Sequence, residues 1–493
     1  MSDRLDPLAR ANQALERETP ALAAALSPLG RRLVFPPDIP FQAAQAKTKT
    51  YNATIGQITD GKGGALRLPS LAGGLSGLPE ELVDRALLYS PVEGILELRQ
   101  RWRAHQRGKA GGDGGDGVDG SGASTLPPST LPVVTVGLTH GLSLVADLFG
   151  GEGRAVAVPT PFWGNYRQAF ATRTGARMVS APFFVDGRFD PRSIVTALAD
   201  EPAGEPAVAI LNFPSNPHGY SPTPEERRQV KDALVEEAGR RPLVVVADDA
   251  YAGLVFDERI PARSMFWELA GAHPNLVPVK VDGSTKEVSF FGGRVGFLTF
   301  AVDPESEAAA ALESKVKHLV RATLGSPVAT SQVLLLNALR SDSLAGEIEA
   351  LRQRLGRRVA VLRAALSGVD RNLLVPLPFN SGCFALAELP ETLGLTAEQV
   401  RKEVAAWVEE AWSPDLTVGE WWDILARSGY AAPTASAAPP ATSAPTSTRP
   451  APPSTSSDRS TRGRTCGSTP TRSSPRRIDP TRVPPGRCGA GSR

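Results

Sequence analysis

Apolar residues in this chain gather into short runs separated by longer, helix-like stretches. The runs stand at 133–136, 155–158, 207–211, 243–247, 276–281 and 295–300. Most are rich in Val, Ile and Leu and apolar at successive positions, which predicts strands covered on both faces. The run at 276–281 is the least regular, because Pro278 and Lys280 interrupt it. Between two runs, Thr223-Pro224-Glu225-Glu226 offers a capping hydroxyl, a proline at the first helical position and a glutamate three residues past the cap. A helix is predicted from there to a stop at Gly239. Further helices are predicted over 93–107, 305–320 and 328–366, the last interrupted near Ser341–Ser343, and a strand over 381–387. Strand, helix and strand in succession predict an α/β fold with a mostly parallel central sheet. Ligands in such folds sit beyond the carboxyl ends of the strands.

Composition divides the chain further. Residues 1–75 read as an N-terminal arm with part of a small domain, punctuated by Pro36, Pro37 and Pro40. Residues 76–330 read as a large domain, interrupted at 108–130 by a Gly-, Asp-, Ser- and Pro-rich insertion expected to be disordered. Residues 331–430 read as a linking helix and an incomplete C-terminal small domain. Residues 431–493 read as a disordered tail of Ala, Pro, Ser, Thr and Arg. That tail holds ten arginines, two aspartates and no lysine, a charge of +8 that leaves −6 for the rest of a chain whose total is +2. An acidic body gives no reason to expect nucleic acid as a partner. Arginine without lysine reads as an out-of-frame translation of a GC-rich gene, an expectation that the gene's other frames would test. No run reaches eighteen apolar residues, so no membrane partner is expected. The first residues lack the apolar stretch of a secretory signal, and three cysteines make no disulfide framework, so a cytoplasmic location is expected.

The chemistry lies near the ends of the predicted strands. Asn216 follows the run at 207–211, Asp248 the run at 243–247 and Lys286 the run at 276–281. Tyr251 stands three residues after Asp248, and Arg294 lies in Gly292-Gly293-Arg294-Val295-Gly296. Together they supply an amine for an aldehyde, a carboxylate for a pyridine nitrogen, an amide and a phenol for a ring oxygen, and a guanidinium for a phosphate. That is what holding pyridoxal 5′-phosphate requires. The spacing to Tyr251 favours Asp248 over Asp249 as the ring partner. Thr139 and His140 lie where a strand turns into a helix, an anion-binding position. Trp163 offers a flat ring for stacking. A nicotinamide-binding fold would need a GxGxxG turn after the first strand, which Gly137-Leu138-Thr139-His140-Gly141 does not supply.

From Asn52 to Leu389 the chain resembles the class I/II aminotransferases, fold-type I enzymes with a large domain and a smaller α/β domain built from both termini. Asn52-Ala53-Thr54-Ile55-Gly56 is similar to the family's substrate arm, and Tyr89-Ser90-Pro91-Val92-Glu93-Gly94 to its Tyr-x-Pro-x-x-Gly segment. The resemblance implies a homodimer with shared active sites, Tyr89 reaching the neighbour's phosphate. It implies Lys286, Asp248 and Tyr251 as catalytic residues. Thr139, Trp163, Asn216 and Arg294 would bind the cofactor, and His140 beside Thr139 is a further candidate; Ser284 or Thr285 would stand in for a serine that is here Gly283. Gly56 and Arg321 would touch substrate. The activity implied is amino-group transfer between an amino acid and a 2-oxo acid. The alternatives are β-elimination by a C–S lyase, or a cofactor-binding protein with impaired catalysis. No metal is expected. One departure is large: the small-domain arginine that clamps a substrate α-carboxylate has no equivalent after Phe384.

Overall fold

The computed structural model describes residues 7–34, 58–60, 64–110, 126–372 and 374–390. The Asn52–Gly56 segment, most of the insertion, and everything after residue 390 lie outside them.

Seven strands form the central sheet: β1 (Val133–Val136), β2 (Ala155–Thr160), β3 (Arg177–Pro182), β6 (Ala207–Asn212), β7 (Leu243–Asp248), β8 (Leu276–Gly283) and β9 (Val295–Phe300). Two-residue strands β4 (Phe184–Val185) and β5 (Arg188–Phe189) make a hairpin between them, and β10 (Val375–Pro376) pairs with β11 (Ala387–Glu388) later. The sheet order is β1-β9-β8-β7-β6-β2-β3. Pairing is parallel from β3 through to β8, while β9 runs antiparallel to both of its neighbours.

Strand alternation sends successive side chains to opposite faces. In β7, Val244 and Val246 pack on one face with Val279 and Val281, the Gly137–Phe149 helix and the Glu307–Thr323 helix. Leu243 and Val245 pack on the other with Val230 and Leu234 of the Pro224–Ala238 helix. Both faces are buried, which is why most positions in the runs are apolar. All six predicted runs match strands to within two residues at each end, with β2 extending past its run to Thr160 and β8 past its run to Gly283. β3 escaped prediction: it is an edge strand of mixed burial, and Arg177, Ser180 and Pro182 dilute its apolar pattern. Thr223 closes the predicted capping box with Glu226, and the helix ends before Gly239. The predicted break near Ser341–Ser343 separates the Ala329–Leu339 and Leu344–Ser367 helices.

The strand predicted over 381–387 forms only at its last residue, Ala387 of β11. Gly382 takes a φ of +73°, which turns the chain out of extended geometry. Its neighbours spend their amides elsewhere: Asn380 and Ser381 donate to the Gly219 carbonyl at 2.9 and 3.0 Å, and Gly382 to Leu254 at 2.7 Å. Among the described residues no helix is long and apolar enough to cross a membrane.

Candidate active site

Asn212, Asp248 and Gly283 are the last residues of three neighbouring strands, so their loops open at one end of the sheet. Alternation puts Asp248 on the same face as Val244 and Val246, and Asp249 on the reverse face. Asp248 is only 2% exposed. Tyr166 Oη donates to its Oδ2 at 2.5 Å, and the Ala250 amide to its Oδ1 at 3.1 Å. The Asn212 side chain donates to the Asp248 carbonyl at 2.8 Å, holding the strand end in place. Burial pushes the Asp248 carboxyl up to about 6, against the two donors that favour its charge.

The Asn216 amide donates to Asn212 Oδ1 at 2.6 Å, and Asn216 Nδ2 stands 3.5 Å from Tyr251 Oη. The two groups expected to share one ring oxygen are therefore neighbours. Lys286 sits in the one-turn helix Ser284–Glu287 that follows β8. Its Nζ lies 5.4 Å from the centroid of the Tyr251 ring and 4.6 Å from that of Phe291. Burial lowers the pKa of this amine; Cys383 and Asp248 oppose the shift, and the Arg294 charge adds to it. A depressed pKa raises the fraction of the nucleophilic, uncharged form.

Arg294 has a φ of 51° and lies against the first turn of the Gly137–Phe149 helix. Gly137 makes that approach possible: a Cβ there would stand 2.5 Å from Arg294 Nη2, and its φ of +71° is one that side chains resist. Unpaired first-turn amides beside a guanidinium form a cradle for a phosphate. Thr139 lies in that turn, half-buried. His140 folds back to accept from the Val136 amide at 3.1 Å, and burial lowers its pKa, so the ring is neutral. Its Nε2 is buried without a partner. Trp163 meets Tyr166 edge to face at 5.7 Å, which places it beside the Asp248 loop.

Not every expected residue arrives. Ser284 is fully buried and its hydroxyl donates to the Val295 carbonyl at 3.2 Å, so it belongs to the wall and not to the cradle. Gly283, where the resemblance would have a serine, admits no side chain, because a Cβ there would lie 2.6 Å from the Val295 carbonyl oxygen. Tyr89 is 98% exposed and joins no part of this site within its own chain. Arg321 is exposed at the end of the Glu307–Thr323 helix and donates to the Gly325 carbonyl at 3.5 Å. Gly56 lies outside the described residues. Conversely, Tyr166 was missed. Its only sequence signal is its place three residues after Trp163, and its partner lies 82 residues away. Phe384, whose ring meets Tyr251 at 5.6 Å, was also missed, since only the turn at Gly382 brings it there.

The donor set fits pyridoxal phosphate. A half-buried amine of lowered pKa, a buried carboxylate, an amide beside a phenol and an anion cradle opened by Gly137 lie around one end of the sheet.

The chain is similar to proteins of known family. The family described as "Aminotransferase class I and II" matches residues 84–415. The mitochondrial aspartate aminotransferase of Schizosaccharomyces pombe is 22% identical over 344 residues, 67% of this chain and 74% of that protein. The 2-aminoadipate transaminase of Thermus thermophilus is 28% identical over 324 residues, 64% of this chain and 68% of its own. Among solved structures, an aminotransferase from Anaerococcus prevotii shares the fold with a TM-score of 0.62 at 22% identity, over 76% of this chain and 90% of that one. An α-aminoadipate aminotransferase from Thermus thermophilus, solved with N-(5′-phosphopyridoxyl)-L-leucine, shares it with a TM-score of 0.58 at 23% identity, over 76% and 84%. The mostly parallel sheet with its antiparallel β9 is thus a fold-type I arrangement, and this chain belongs to the class I and II aminotransferases.

Proposed function

We propose that this pyridoxal-phosphate-dependent aminotransferase moves an amino group between an amino acid and a 2-oxo acid through Lys286. Pyridoxal phosphate, when bound, supplies an electron sink for the substrate Cα. Lys286 would hold its aldehyde end and Asp248 its ring nitrogen. Asn216 and Tyr251 would hold the ring oxygen, and Arg294 with the first turn at Gly137–Thr139 the phosphate. Trp163 would stack on the ring. Once displaced by substrate, the Lys286 amine takes a proton from the substrate Cα and returns one, as general base and then general acid. Its burial beside Tyr251 and Phe291 keeps the uncharged form available for that work. The carrying observation is this amine, of lowered pKa, at the same sheet end as the buried Asp248 carboxylate. Lys286→Ala is expected to lose both covalent retention of the cofactor after borohydride reduction and turnover. Retention at wild-type level would sink the assignment. Supplying an amino acid alone separates transfer from β-elimination: the first accumulates pyridoxamine phosphate, the second releases ammonia and pyruvate.

The protein works as a homodimer in this reading. Leu87, Leu88, Tyr89, Leu324 and Val328 are exposed, and Ser90 donates to the Pro327 carbonyl at 2.7 Å while Thr330 donates to Ala86 at 3.0 Å. Those bonds tie the 86–90 and 327–330 segments together, so the exposed apolar residues of the two stretches lie near one another. A second copy covers them and brings Tyr89 and Arg321 to the neighbouring site. Residues 76–330 would form the cofactor domain, with 1–75 and 331–430 contributing the small one. A cytoplasmic location is the reading that the cysteine usage supports.

A further inference from the structure

On the reverse face of the sheet from Asp248 lies a second buried charged cluster that the reaction above leaves unused. Lys280 interrupts an otherwise apolar run, where a leucine or methionine would continue the packing. It is 3% exposed, its Nζ stands 3.2 Å from Asp249 Oδ2, and it contacts Asp282 Oδ2 more closely. Asp282 is held in turn by the Leu96–Lys109 helix: Trp102 Nε1 donates at 3.2 Å and Gln106 Nε2 at 2.9 Å. Ser264 hydrogen-bonds Asp249. Lys109 and Arg263 line the small cavity beside Lys280 and Asp249, and Lys109 is committed to Glu287 at 2.7 Å.

A buried ammonium between two carboxylates neutralises one charge and leaves the cluster at −1. Without it, Asp249 and Asp282 stand uncompensated immediately behind Asp248. Like charges in a dry environment push one another toward protonation. Burial raises the pKa of both Asp248 and Asp249; Lys280 opposes the rise at Asp249, and Asp249 contributes to the rise at Asp248.

We propose that Lys280 is a positioning residue for the cofactor site: its ammonium compensates Asp249 on the reverse face, which leaves the Asp248 carboxylate ionised for the pyridine nitrogen. This rests on the cofactor reading above. The test titrates full-length protein, stripped of cofactor, with pyridoxal phosphate by absorbance between pH 6 and 9. Lys280→Met is expected to bind about fivefold more weakly at pH 6 and about twofold more weakly at pH 7, as a rise of one pKa unit at Asp248 from about 6 implies, with the deficit gone by pH 9. Asp249→Asn, and the double variant Lys280→Met with Asp249→Asn, both lack the neighbouring charge and are expected to bind within about threefold of wild type across the range. A double variant as weak as Lys280→Met, a pH-independent deficit, or fivefold weakening of Asp249→Asn at pH 6 would overturn the inference in favour of a purely structural ion pair. Should Lys280→Met fail to fold, the Asp249→Asn and double-variant affinities still decide. Wild-type protein that takes up no cofactor would sink the functional reading instead.

Discussion

At the scale of single residues, the site depends on keeping a buried carboxylate charged. Tyr166 contributes the shortest of the hydrogen bonds to Asp248. Hydrogen bonds to charged groups are worth about 1.5–3 kcal/mol. Tyr166→Phe should therefore weaken cofactor binding by roughly one to two orders of magnitude, while Lys286 remains the residue trapped by borohydride. A variant that binds as tightly as wild type would show that the phenol serves packing alone. Asp248 also gives the cofactor-free protein a pH dependence. Its carboxyl ionises near 3.9 in an unfolded chain and at about 6 here. The folded state retains the extra proton between those values, so this group's contribution to stability is full below about pH 4, falls as pH climbs and levels off above 6. Melting curves of the cofactor-free protein from pH 4 to 8 should show that loss, on the order of 2–3 kcal/mol, in wild type and not in Asp248→Asn.

At the scale of elements, glycines set how closely loops approach one another. Gly219 is the clearest case: its φ is +68°, and a Cβ would fall 1.8 Å from the Phe384 carbonyl oxygen. The Asn216–Gly219 turn and the 380–384 segment therefore touch backbone to backbone, which is how Phe384 reaches Tyr251. Gly219→Ala should separate them, costing roughly 1–3 kcal/mol for the backbone conformation alone. Faster proteolysis near residue 380 and a lower melting temperature would report it; an unchanged protease pattern would contradict the contact. Thr223→Ala offers a milder comparison, because it removes one half of a capping box and should cost about 1 kcal/mol.

At the scale of the molecule, two surfaces of different kind carry the site residues. The sheet end gathers Asn216, Asp248, Tyr251 and Lys286 within one chain. Tyr89 and Arg321 stand exposed elsewhere. If a second copy supplies them, Leu87→Glu with Leu88→Glu should dissociate the dimer in sedimentation. Turnover should fall with it, while Lys286 can still be trapped on cofactor in the monomer. A variant that stays dimeric would place the interface elsewhere.

Much was legible from residue order. Strand runs buried on both faces announce themselves, since most of their positions are apolar, and Thr223-Pro224-Glu225-Glu226 carries its whole capping chemistry locally. Strand ends then imply where Asn216, Asp248 and Lys286 must meet, because a parallel sheet aligns the carboxyl ends of its strands. What only tertiary structure decided are relations between distant residues. Tyr166 finds Asp248 across 82 positions, Gly382 turns a predicted strand into a docking segment, and the Val295 carbonyl claims the Ser284 hydroxyl. Lys280 is the plainest instance. In the sequence it only spoils a strand, and its two carboxylate partners become visible once β7 and β8 are laid side by side. Local patterns report burial and backbone preference, whereas a hydrogen bond or ion pair depends on which two points of the chain folding brings within about 3 Å of each other.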